Sequence, residues 1–130
     1  MRCAGRSLRL AVGTPAPPGL GEVAIVTACN PASHRTRPEV NRAASRALRR
    51  RLDARGLAWM PARAHGTGPH ARSWDEPGFA LIGRAAGAAV SLGQEFGQNA
   101  VLVARPGVPG RLVSARAGFC GRQPGEPLDL

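Results

Sequence analysis

Residues Glu22–Ala28 read Glu-Val-Ala-Ile-Val-Thr-Ala, a mostly apolar run that Asn30-Pro31 brings to a stop. A short apolar stretch of this kind predicts a strand buried on both faces. The stop follows from the residues themselves, because Asn favours turns and the proline after it has no N–H for a ladder. Whatever the chain folds into must cover this strand from two sides.

The neighbouring segments supply the cover. Leu8-Arg-Leu-Ala-Val12 alternates like an edge strand and ends at Gly13, after which Pro15, Pro17 and Pro18 impose an extended connection. Thr36 and Glu39 have capping-box spacing with Pro38 in the first turn, and Val40, Ala44, Leu48 and Leu52 follow at helical intervals until Gly56. Leu57–Ala62 reads as a second central strand. From Arg63 to Gly78, with Gly66, Gly68, Pro69 and Pro77, the expectation is a long irregular loop. Phe79–Ile82 is a short strand, and Ala85, Ala89, Leu92 and Phe96 mark a helix weakened by Gly87 and Gly93. Ala100–Ala104 and Arg111–Ala115 read as strands around a Pro-Gly-Val-Pro-Gly turn.

The order ββαββαββ predicts an α+β chain: an antiparallel or mixed sheet with two helices on one face, a two-layer sandwich. Its central βαββαβ portion is compatible with a ferredoxin-like arrangement. At 130 residues, one domain spanning 8–117 is expected, with 1–7 and 118–130 as flexible tails.

The formal charge is +10, and all 18 basic residues are arginine. That balance invites a nucleic-acid reading, yet the abundance of Ala, Gly and Pro fits a genome-wide bias equally well. Tyrosine is absent and there are two tryptophans, which argues against a base-stacking platform. Nucleic acid is therefore not the favoured partner. Cys3, Cys29 and Cys120 form no disulfide framework, so a reducing cytoplasm is expected. No run approaches the roughly 20 apolar residues of a membrane span.

The candidate chemistry is mostly neutral. Thr27, Asn30, Gln98 and Asn99 cluster at element ends, and amides recognise ligands or tie loops but seldom perform acid–base chemistry alone. Asn30 and Asn41 flank the turn before the first helix, where they either bind an anionic ligand or brace the loop. Gln98 and Asn99 either read a base-like edge or cap carbonyls left open at a helix end. In Trp74-Asp75-Glu76-Pro77, adjacent acids in an extended segment point apart, leaving Glu76 as the candidate general acid or base. Cys29 with His34 lacks diagnostic nucleophile–base spacing, and His65 and His70 do not complete a metal set. Arg42, Arg46, Arg49 and Arg50 share the helix face away from the apolar stripe and either bind phosphate or are simply solvated.

Taken together, Leu8–Thr14, Ile25-Val-Thr-Ala-Cys-Asn-Pro31, Asn41, Trp74-Asp-Glu-Pro77 and Phe96-Gly-Gln-Asn-Ala100 resemble the bacterial family called domain of unknown function 3293. The likeness runs from about Leu8 to Val113, with motif positions on Thr27, Asn30, Asn41, Trp74, Glu76, Phe96, Gln98 and Asn99. It implies no activity or cofactor. The chain departs from the family at Arg63–Arg72, where members tend to carry a Gly-rich acidic stretch. The resulting expectation is a small cytoplasmic binding domain for an anionic or nucleotide-like ligand. Thr27, Asn30, Asn41, Gln98 and Asn99 would supply hydrogen bonds and Trp74 a stacking face. The alternatives are a small enzyme using Glu76 or a nucleic-acid accessory protein using the arginine-rich helix.

Overall fold

The computed structural model describes residues 8–29, 34–66 and 74–128, with the side chains of 65, 66, 74 and 75 outside that description. In chain order the elements are β1 (Leu8–Ala11), β2 (Val23–Val26), α1 (Pro38–Ala54), β3 (Trp59–Gly66), β4 (Trp74–Ile82), a 3-10 segment (Gly83–Ala88), α2 (Ala89–Glu95), β5 (Ala100–Arg105) and β6 (Val108–Ser114). The strands form one sheet in the order β1-β3-β4-β2-β5-β6. β1 runs parallel to β3 and every other pair is antiparallel, so the protein is α+β with a mixed sheet and two helices.

β2 is the middle of both cores. Ala24 and Val26 face one way, packing with Trp59, Leu81 and Val101 beneath Leu48 and Leu52 of α1 and Leu92 of α2. Each of these leucines is fully buried, and burial of that kind is worth about 1.5–3 kcal/mol per side chain. That matters most for α2, whose seven residues fall well short of the ~12–15 an isolated helix needs. Gly93 lets it sit close: a Cβ there would lie 3.0 Å from both Ala115 Cβ and Val101 Cγ1.

Val23 and Ile25 face the other way, among Leu8, Leu10, Met60, Ala62, Ala80 and Leu102. This second cluster includes no helix residue; the sheet curls around it. The curl closes where the chain leaving β1 meets β6. Gly13 N–H donates to Gly110 O at 2.7 Å, Gly110 N–H donates to Thr14 O at 2.8 Å, and Pro15 bridges Pro109. Gly110 is required at that seam, since a Cβ would stand 2.8 Å from Ala11 O and 2.9 Å from Thr14 O.

Several local expectations need correction. The long loop expected from Arg63 to Gly78 is largely a hairpin, with β3 and β4 paired from Trp59↔Leu81 out to Gly66↔Trp74. Its prolines are tolerated because Pro61 precedes the first β1 pairing at Ala62, and Pro77 lies beyond the last β2 pairing at Phe79. The helix starts one residue later than the capping-box spacing implies. Pro38 takes the first helical position and Arg37 becomes the N-cap in extended conformation, as a residue before proline prefers, while Thr36 Oγ1 donates instead to His34 O at 3.1 Å. Val40, expected on the apolar stripe, is 45% exposed. Gly56 ends α1 with a φ of 64°, as its position predicts.

The second helix begins as the 3-10 segment and turns α-helical only at Ala89. The last hairpin is tighter than its Pro-Gly-Val-Pro-Gly sequence suggests, because Arg105 pairs with Val108 and β6 starts there. Within the stretch 118–130, read as a tail, residues 125–128 lie along β6. Ser114 N–H donates to Glu126 O, Leu128 N–H donates to Leu112 O, and Leu128 is buried. Among the described residues, no helix is long and apolar enough to cross a membrane.

Candidate functional site

The described motif side chains at and near the end of β2 are engaged mostly with backbone groups of neighbouring segments. Thr27 Oγ1 donates to Pro77 O at 2.9 Å and accepts from Cys29 N–H at 3.0 Å, tying the strand end to β4. Gln98 Nε2 donates to Cys29 O at 3.1 Å from a site only 7% exposed. Its neighbour Asn99, also buried, accepts from Arg116 Nη1 at 3.5 Å through its side chain and from Ala115 N–H through its backbone. Asn41 Nδ2 reaches Thr36 O at 3.4 Å, bracing the approach to α1. Asn30 lies outside the described residues, as does the side chain of Trp74, whose backbone opens β4.

Glu76 pairs with Ala64 in the β3–β4 ladder. Alternation along the strand places it on the same sheet face as Ala80 in the second cluster, opposite to Phe79 and Leu81. Cys29 is a buried free thiol, 3.8 Å from Ser45 Oγ and 3.9 Å from Pro77 O. His34 is exposed at the start of the next described segment.

A concave surface lies elsewhere, on the helix side of the sheet. A groove of about 230 Å³ is lined by Ser45, Arg46 and Arg49 of α1 and by Trp59, Pro61 and Phe79 of the hairpin. The hairpin register builds its floor: Trp59 stands opposite Leu81 and Pro61 opposite Phe79, so alternate residues of the two strands share this face. Trp59 and Phe79 meet edge to face, with centroids 5.0 Å apart, and Trp59 Nε1 donates to Asp53 Oδ1 at 2.8 Å. That bond fixes the largely buried indole against α1.

Two of the groove's side chains are cationic. Arg51 pairs with Glu95 at 2.9 Å and Arg37 stands 3.8 Å from Glu39, but Arg46 and Arg49 have no carboxylate partner among the described residues. They sit three positions apart on one flank of α1, with Arg42 one turn earlier. Like charges at such spacings repel by about 0.2–0.5 kcal/mol per pair. An anion placed between them would turn that repulsion into attraction. Sequence reasoning weighed the arginines but missed Ser45, Trp59, Pro61 and Phe79, which become one surface only once the β3–β4 register is known.

A family of proteins of unknown function (DUF3293) matches the chain over residues 26–101. No curated protein and no solved structure matches it. The matched span runs from the end of β2 into β5 and includes α1, the hairpin and α2. The chain belongs to this family.

Proposed function

We propose that this DUF3293 member is a binding domain for a small anionic ligand, held in the groove between α1 and the β3–β4 hairpin. The observation that carries the reading is the pair Arg46 and Arg49, unpaired by any described carboxylate and set above an apolar floor of Trp59, Pro61 and Phe79. Guanidinium groups are built for oxyanions, with several donors in a planar fork. The apolar floor gives the rest of a ligand somewhere to leave water. Under this reading the amides at the end of β2 are supports for the scaffold: Gln98 and Thr27 tie three segments together, and the groove rests on those segments.

The same reading takes the inner β2-α1-β3-β4-α2-β5 unit as a ferredoxin-like split βαβ layer, with one added strand at each edge. A cytoplasmic setting agrees with the free thiols of Cys29 and Cys120. An enzyme built on Glu76 is less well supported, because that residue belongs to the sheet face away from the groove.

The test is an NMR titration of the ¹⁵N-labelled protein with acetate, citrate and inorganic phosphate. Shifts confined to Ser45, Arg46, Arg49, the Trp59 indole and Phe79, and lost in the Arg46→Ala/Arg49→Ala double variant, are expected. Uniform small shifts across the molecule for every anion would refute the groove as a site.

A further inference from the structure

We infer that the groove's ligand is a phosphomonoester borne on one compact, flat apolar group, an inference that rests on the anion-binding reading above. Donor count is the first argument. A carboxylate has two oxygens, which the fork of a single arginine engages together, whereas this groove offers two guanidiniums and the Ser45 hydroxyl on adjacent turns of one helix. Three donor groups suit the three terminal oxygens of a phosphoryl group. Charge gives the second argument, because two unpaired arginines match a phosphomonoester carrying about −1.5 to −2 at neutral pH.

Size and shape set the rest. The groove's 230 Å³ lies just under the roughly 300–1,000 Å³ typical of pockets for drug-sized ligands. A dinucleotide or an extended chain would overfill it. Inorganic phosphate would leave Pro61 and Phe79, both half-buried, without contact. A single ring lying on those two side chains, with its phosphoryl group turned up toward α1, uses the whole surface.

The experiment compares three probes on the full chain by calorimetry and NMR: phenyl phosphate, benzoate and inorganic phosphate. Phenyl phosphate should bind at least about tenfold more tightly than either of the others, a difference of about 1.4 kcal/mol. Arg49→Lys keeps the charge but loses the fork and should weaken phenyl phosphate more than benzoate. Arg50→Ala, on the same helix but outside the groove, should leave both affinities unchanged. Benzoate binding as tightly as phenyl phosphate would overturn the phosphomonoester assignment while leaving an anion groove standing. No groove-localised response to any probe would overturn both.

Discussion

Gln98 donates its side-chain amide to the carbonyl oxygen of Cys29 across 69 positions of sequence, at 3.1 Å and shielded from solvent. One hydrogen bond thereby joins the end of β2 to the α2–β5 junction, two segments that no ladder connects at that level. The Gln98 backbone is fixed as well, its N–H donating to Gly93 O at 2.8 Å. The side chain therefore reaches Cys29 from a rigid base.

Removing that bond should be felt in stability. Gln98→Ala leaves a buried carbonyl without its donor, which costs about 1–3 kcal/mol. Urea denaturation should show a lower midpoint with an unchanged slope. A midpoint within error of the wild type would mean that water replaces the amide at no cost.

The indole clamp offers a second measurement. Trp59→Phe removes the Nε1 donor to Asp53, and a hydrogen bond to a charged group is worth about 1.5–3 kcal/mol. Asp53→Asn keeps an acceptor and should cost less than Asp53→Ala. If the two Asp53 variants unfold together, the bond contributes little and the indole is held by packing alone.

Two glycines should respond in opposite directions. Gly87 is exposed, has an ordinary φ, and a Cβ there meets nothing within 4 Å; Gly87→Ala should stabilise by about 0.4–1 kcal/mol through the unfolded state. Gly110→Ala drives a methyl group into two backbone carbonyls at the seam and should destabilise by about 1–3 kcal/mol, as overpacking does. Thermal melts of the two variants on either side of the wild type would bear this out.

The Arg51–Glu95 pair links α1 to α2 in partial exposure. Surface pairs of this kind contribute about 0.2–1 kcal/mol and are screened by salt. Glu95→Gln should therefore lower stability slightly at low ionic strength and not at all in concentrated salt. A loss that persists in salt would show that the glutamate is packed rather than paired.

How much of this was legible beforehand depends on which residues one asks. The apolar run around Val23–Val26 announced burial on both faces, because no polar side chain interrupts it. α1 was legible from Leu48 and Leu52, but Val40 belongs to the helical pattern without being covered, since periodicity does not say where the neighbouring layer ends. The inner halves of β3 and β4 were read as strands, but the outer half of their hairpin was hidden. Arg63, His65, Asp75 and Pro77 read locally as loop, and only pairing with one another makes them strand. The groove was hidden for the same reason: its cations come from one helix and its floor from two strands whose register no local signal fixes. The amides were easy to notice, but noticing them did not reveal that Gln98 points at Cys29.

The segment around Leu128 has a consequence for how the protein behaves in a crowded solution. By hydrogen-bonding to Leu112 and Ser114, it occupies backbone groups along β6 that would otherwise be open to a strand from another chain. Exposed edges of that kind are templates for aggregation. Residues 125–128 thus cover part of the β6 edge, so that stretch of a sheet rich in Val, Leu and Ala offers no open ladder to a neighbour.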